Sequence, residues 1–416
     1  MKIAHLAPKM GSYSSAAWRV LEAQLRLGMD AEGLACEIAI DLNGSVINSP
    51  FVKAIKFLRF QRYVAAIKNK IFLKSKLDSP WSPMTGGVAG VRNTLFSNSV
   101  EIVNIHWIPS LVNLRKCASY QIPVVVTMHD VWSMTGGCHC NYGCNNWNSG
   151  CKLCPQKSSR FGNISSPESD LKSKIKWFGE INNLSFIGPS KWICDMAENS
   201  SVTSGRRVVH IPNPLNPEIF KPTANLRTQL PPSDSRKLLL LFVVAGEIDQ
   251  FHKGFDLLVK IVNSISRATS TKAELLLVGE SDGVDLSGIN IPVHKLGVIR
   301  EESEMARIYN SADILLHTSR QDNYPGTILE ALSCGLRAIG FDVGGVSELI
   351  NSGKFGRLVD AFDVEAYVKV LLEMAGTYPT MEERLSMHND VMTDHHPRII
   401  AEKYKRHYES CVENNV

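Results

Sequence analysis

The feature that most constrains this chain is an alternation of short apolar runs with stretches whose apolar residues recur at helical spacing. It begins with residues 2–7, then a turn holding Gly11 and Ser12, then a helical pattern through Ala16, Val20, Leu21 and Leu25 that Gly28 ends. Further runs suited to strands lie at 34–40, 101–105, 124–128, 184–188 and 207–211. The plan recurs at 238–245, 274–278, 313–317 and 337–342. Between them Phe255, Leu258, Ile261, Val262 and Ile265 share one helical face, as do Leu329 and Leu332. Such alternation predicts β-α-β units, an α/β fold and parallel sheets buried on both faces.

The alternation is interrupted once, at Pro212, Pro214 and Pro217, three prolines in six residues that stop helix and sheet alike. A chain of 416 residues exceeds one ordinary core and suits two domains. The expected division is 1–215, joined by residues 396–416 as a returning helix with Ile399, Ile400, Tyr404 and Tyr408 on one side, and 216–395.

Charge narrows the function classes. Forty-five Lys and Arg against 41 Asp and Glu leave a net charge of +4, far from that of a protein that coats nucleic acid. The excess is local: residues 53–76 hold eight basic side chains and no acidic one, interleaved with Phe51, Ile55, Leu58, Val64, Ile67 and Ile71. Read as a helix, this run suits a solvated face or an anionic membrane surface. The longest aliphatic stretch, 238–245, is far short of the roughly 20 residues a spanning helix needs. The opening Lys-Ile-Ala-His-Leu-Ala lacks a leader pattern, so a cytoplasmic, reducing location is expected.

In an open parallel sheet, ligands bind beyond the carboxyl ends of the strands. The residues there are His106 and Trp107, His129 and Asp130, Gly246 and Glu247, Gly279, and Thr318 to Asp322. No Gly-x-Gly-x-x-Gly follows a strand and no Gly-x-x-x-x-Gly-Lys-Ser/Thr occurs, which argues against nicotinamide redox and P-loop chemistry. The strongest local signal runs from Thr318 through Asp322, Tyr324, Pro325, Gly326, Thr327 and Glu330 to Gly335. Pro325 opens a helix and Gly335 closes it, so free amides at its start suit a phosphate. Asp322 and Glu330 could accept hydrogen bonds from sugar hydroxyls, or Asp322 could merely cap the helix. A second signal, His252-Lys253-Gly254-Phe255, places a cation and a close backbone approach on a strand-helix turn.

Asp322, seven residues, then Glu330, Ala-Leu-Ser-Cys-Gly and Phe341-Asp342-Val343-Gly344-Gly345-Val346-Ser347-Glu348 resemble the acidic donor-site motif of glycosyltransferase family 4. Lys253-Gly254, residues 188–192, residues 211–213 and residues 313–315 resemble further family segments in the same order. His106-Trp107, residues 127–130 and residues 135–139 are most similar to bacterial polysaccharide enzymes of the colanic-acid type. The resemblance implies a GT-B fold of two facing Rossmann-like domains. It implies retaining transfer of a hexose-type sugar from a nucleotide-diphosphate donor to a saccharide or lipid-linked saccharide acceptor, without a catalytic metal. By position, Glu330 would hold the ribose. Asp322 with Tyr324, Pro325, Gly326 and Thr327 would hold the donor sugar and phosphates, Lys253 the leaving diphosphate and His129 the sugar near the reacting carbon. Gly11, Ser12 and His106 would face the acceptor.

The sequence departs from the family pattern at three places. The first acidic residue is Asp322 where Glu is usual, and the glycine pair of the first loop is reduced to Gly11-Ser12. The Arg before Lys-Gly is missing, with Glu247 nearest, so Arg320, Lys191 and Arg300 become candidates for a second diphosphate contact. Five of the ten cysteines fall within 17 residues, and Cys138, Cys144, Cys151 and Cys154 could close a structural zinc site or remain free thiols. Two other readings compete: a GT-B-fold sugar-nucleotide epimerase, and a zinc-stabilised nucleic-acid-binding protein.

Overall fold

The structure, a computed structural model, describes residues 1–7, 16–35, 73–75, 79–82, 100–106, 122–159, 166–223, 237–268, 272–350 and 355–413. The chain divides into two compact units, Met1–Pro214 together with Pro397–Val416, and Leu215–His396.

In the first unit the strands are β1 (Lys2–Ala7), β2 (Asp30–Ala35), β3 (Leu73–Ser75), β4 (Ile102–His106), β5 (Val124–Thr127), β6 (Lys157–Ser159), β7 (Leu184–Gly188) and β8 (Arg207–His210). Six of them form one parallel sheet in the order β2-β1-β4-β5-β7-β8, while β3 and β6 pair antiparallel. The central strands are buried along their length, as apolar runs without a polar alternation require. One face packs Ile3, Ile102, Val125 and Ile187 against Val20 of α1 (Ala16–Arg26) and against Ile400, Tyr404 and Tyr408 of the C-terminal helix Pro397–Glu413. The other face meets Leu171 and Phe178 of α2 (Pro167–Gly179), Ile193 and Ala197 of α3 (Lys191–Glu198), and Trp132. Pro167 stands at the start of α2, where Ser166 and Ser169 close a reciprocal capping box.

The second unit contains β9 (Leu238–Glu247), β10 (Ala273–Glu280), β11 (Val293–Gly297), β12 (Ile314–His317), β13 (Arg337–Phe341) and β14 (Gly356–Val359). Its helices are α4 (Phe255–Ala268), α5 (Glu302–Ser311), α6 (Gly326–Ser333), α7 (Val346–Leu349), α8 (Val364–Met374) and α9 (Met381–His395); the C-terminal helix of the first unit follows as α10. The sheet is parallel throughout, in the order β11-β10-β9-β12-β13-β14. This is the doubly wound dinucleotide-fold order, and its direction reverses between β9 and β12. Leu258, Ile261, Val262 and Ile265 of α4 with Tyr367 and Leu371 of α8 cover one face. Tyr309 of α5 and Ile328, Leu329 and Leu332 of α6 cover the other.

Two differences from the sequence reading have local causes. The strand expected at 34–40 occupies Asp30–Ala35, because Gly28, at φ 77°, turns the chain straight from α1 into register with β1. β11 and β14 escape an apolar-run search because they are edge strands with partly exposed residues. Of the basic run expected to be helical, Leu73–Ser75 is a strand, and residues 53–72 and 76 lie outside the described residues, as do Gly11, Ser12 and Trp107. Among the described residues, no helix is long and apolar enough to cross a membrane.

Candidate active site

The switch point of the second sheet gathers the residues singled out in the sequence. After β9 the chain makes a single 3-10 turn, Phe251–Lys253, which Gly254 ends at φ 67°. Beyond β12, Thr318 grips that turn, its hydroxyl donating to the carbonyls of Lys253 (3.2 Å) and Gly254 (3.0 Å), and the Arg320 amide donates to the His252 carbonyl (2.8 Å). A Cβ on residue 254 would collide with the Thr318 carbonyl oxygen. Gly254→Ala therefore combines steric overlap with a left-handed backbone. It should cost about 2 kcal/mol or more and lower the melting temperature of the second unit by roughly 5 °C. An unchanged melting curve would contradict this tight packing.

The clasp brings Lys253 Nζ to 3.1 Å from Asp322 Oδ2. Burial would raise the Asp322 carboxyl, but the Lys253 charge and hydrogen bond, with His317 nearby, hold it below the usual carboxylate range. His317 Nε2 lies 3.9 Å from the same oxygen, and burial pushes its imidazole down to about 4. The Asp322 backbone is fixed from β13's side, because its carbonyl accepts from Gly345 N–H (3.0 Å) and Gly344, at φ 61°, lies too close to it for a Cβ.

Asp322 does not cap α6. The cap position is Pro325, which makes no side-chain cap hydrogen bond, and Gly326 and Thr327 begin the helix at its positive end. Glu330, on the second turn, is buried and accepts a hydrogen bond from the Tyr309 hydroxyl (2.8 Å). Tyr309 and His317 belong to this constellation although no sequence signal marked them.

Residues 240–376 match the family described as glycosyl transferases group 1. This segment is a group 1 glycosyltransferase domain. The chain is 28% identical over 248 residues to the putative colanic acid biosynthesis glycosyl transferase WcaC of Escherichia coli K12, covering 58% of each chain. It spans about half the length of the curated relatives it matches. Among solved structures it is similar along its full length to sucrose-phosphate synthase from Thermosynechococcus elongatus (15% identity, TM-score 0.69, 100% of both chains). It is also similar to Anabaena HepE in complex with UDP-glucose (14% identity, TM-score 0.59, 99% and 100% of the two chains). These likenesses give the chain the GT-B fold class, two parallel-sheet Rossmann-like domains with a helical C-terminus.

Two residues expected near the donor have side-chain partners within the second unit. The Tyr324 hydroxyl lies 3.1 Å from His395 Nε2, so this side chain is drawn to the end of α9. Arg320 makes a two-pronged pair with Asp256 (2.8 and 2.7 Å), donates to the Phe251 carbonyl and lies over the Phe251 ring. It holds the Lys253 turn in place. Arg300 is exposed between β11 and α5, while Lys191 stands at the start of α3 in the first unit.

In the first unit, His106 ends β4 and His129 follows β5. His106 Nδ1 lies 2.9 Å from His129 Nε2, the two rings end to end with centroids 5.2 Å apart and planes 19° apart. Burial lowers both imidazoles, His129 to about 4 although Asp130 opposes the shift. Asp130 instead accepts from the Trp132 amide (2.8 Å) and pairs with His139 Nδ1 (2.7 Å).

The zinc site allowed by cysteine spacing is not formed. Among the described residues, no three His, Cys, Asp or Glu side chains converge as metal ligands. Cys151 Sγ accepts from the Gly136 amide (3.2 Å), and burial raises the Cys138 thiol and lifts that of Cys151 to about 11, favouring the protonated form. The loop is organised by the buried Lys174, which donates to the carbonyls of Trp132 and Thr135 and lies 3.5 Å from the centre of the Trp132 ring.

Proposed function

We propose that this chain is a nucleotide-sugar-dependent glycosyltransferase that transfers a hexose-type sugar to a saccharide or lipid-linked saccharide in bacterial surface polysaccharide assembly, with retention of configuration. One observation carries the reading. At the switch point of a doubly wound sheet, inside the segment matched to group 1 glycosyltransferases, Lys253 faces Asp322 and the uncapped start of α6 follows, with Glu330 one turn on.

The chemistry follows from charge placement. As the anomeric C–O bond to the diphosphate breaks, negative charge grows on the leaving phosphate, where Lys253 and the Gly326 and Thr327 amides would meet it. The acceptor hydroxyl oxygen bonds the anomeric carbon on the same face, and its proton passes to the departing phosphate oxygen. Glu330 would receive the ribose hydroxyls, and His129 the donor sugar. Gly11, Ser12 and His106 are assigned to the acceptor, and residues 53–76 to an anionic membrane surface on the cytoplasmic side. The likeness to WcaC and to HepE in complex with UDP-glucose supports this assignment of class.

Melting the protein with a panel of UDP-, GDP- and ADP-sugars tests the reading, because a bound donor raises the melting temperature by mass action. No shift with any of them would sink the donor site. Transfer of labelled sugar to an acceptor separates a transferase from an epimerase. Glu330→Gln retains an oxygen for Tyr309 while halving the acceptor capacity offered to a ribose. It should melt near wild type yet bind the donor at least tenfold more weakly.

A further inference from the structure

The pair of Lys253 and Asp322 has a third neighbour that the proposed chemistry leaves idle. His317, the last residue of β12, is buried, and among the described residues its Nε2 finds no hydrogen-bond partner. Asp322 Oδ2 lies 3.9 Å away, beyond hydrogen-bond reach, while the same oxygen accepts from Lys253 Nζ at 3.1 Å. A buried ring nitrogen without a partner is unfavourable, so the unmade bond calls for a reason.

The surrounding anchors decide which atoms can move. His317 is held in register with Gly340 of β13. Thr318 and Arg320 fasten the Lys253 turn, and the Gly345 amide fastens the Asp322 carbonyl. What stays free to shift is the Lys253 ammonium, on a flexible four-carbon stem, and the Asp322 carboxylate. A small rotation of that carboxylate, moving its oxygen roughly 1 Å, would close the gap to His317.

A diphosphate carries more negative charge than one carboxylate and competes for the ammonium. Once Lys253 turns to it, the buried Asp322 charge loses its cation, an unfavourable state unless another donor takes over. His252, the remaining titratable neighbour, weighs least on this carboxylate. Burial and the Lys253 charge keep the His317 ring neutral, so it can offer one N–H.

We propose that His317 is a positioning residue for Asp322: when an anionic ligand draws Lys253 away, Asp322 exchanges the ammonium for the His317 Nε2–H and so stays paired. That the ligand is a nucleoside diphosphate rests on the glycosyltransferase reading; the exchange at Asp322 does not.

The test therefore begins without a nucleotide. In protein labelled with 15N-histidine at neutral pH, His317 should give the Nε2–H pattern, with its proton at a position typical of a weak hydrogen bond. Lys253→Met removes the ammonium and should move that proton downfield, as a bond to a carboxylate requires. Adding Asp322→Asn to Lys253→Met should reverse the shift. An Nδ1–H ring in the wild type, an unmoved proton in Lys253→Met, or a shift that survives Asp322→Asn overturns the proposal. The ligand step is read with UDP, GDP and ADP. His317→Leu should melt no lower than wild type, because it removes a buried nitrogen without a partner, yet bind the preferred nucleotide about tenfold more weakly. His317→Gln, which keeps an N–H donor, should recover most of that affinity, and in Asp322→Asn the loss of His317 should cost nothing further. A His317→Leu protein that melts lower and binds as wild type would reduce the residue to packing and overturn the exchange on binding. If none of the three nucleotides raises the melting temperature of the wild type, the donor-site reading fails, and the Lys253→Met spectra still decide the exchange itself.

Discussion

Lys253→Ala should lower kcat/KM for sugar transfer by about 10³-fold, roughly 4 kcal/mol of transition-state stabilisation. Two losses act together. The leaving diphosphate loses a cation 3.1 Å from the carboxylate that orients it, and Asp322 is left with its compensating ammonium removed. Asp322→Asn distinguishes them. It frees Lys253 of its partner without deleting the cation, so its nucleotide affinity should stay closer to wild type than that of Lys253→Ala. Steady-state kinetics with the best donor from the binding panel, together with calorimetric titration of the free nucleotide, measures both. A Lys253→Ala enzyme within tenfold of wild type would remove the central cation from the proposed chemistry.

Acid should unfold this protein well before its carboxylates are protonated. His5, His129 and His317 each have an imidazole pushed by burial from 6.5 to about 4, so between those values the unfolded chain binds more protons than the folded one. Their contribution is complete above pH 6.5 and falls away as pH drops toward 4. At pH 5 each has lost about 2 kcal/mol, a large share of a domain's stability. Urea unfolding at pH 7.5 and pH 5.0 should show the midpoint moving sharply downward, more in the first unit, which holds His5, His129 and the similarly lowered His407. Equal midpoints at the two pH values would mean that these rings are hydrated and titrate normally.

How much of this could be read from the residues alone depended on sequence distance. Lys253-Gly254 and the run from Thr318 to Gly335 are contiguous. Their order relative to apolar runs placed them at strand ends, where the fold brings Lys253 against Asp322. The role of Arg320 was invisible because its partner Asp256 lies 64 residues away. A guanidinium beside an acidic motif reads as a ligand contact, and its pairing with a carboxylate on α4 is seen only in the fold. His5 reads as one polar residue inside a buried strand, and its meaning depends on residues 19 and 101 positions distant. The cysteines misled for the opposite reason. Their spacing is local and suggestive, but the loop between Asp130 and Gln156 is ordered by His139, Lys174 and backbone hydrogen bonds that no spacing rule contains.

The helix Pro397–Glu413 has a consequence for the life of the chain on the ribosome. Ile400, Tyr404 and Tyr408 complete a core whose other members include Ile3 and Val20, so that core closes only after residues almost 400 positions further along have been made. The intervening residues 215–396 emerge whole before that core can close. During that interval the part of the β1-β4-β5 face that α10 covers is exposed apolar surface, so nascent-chain protection by a chaperone should be needed from the first unit's emergence until α10 clears the exit tunnel.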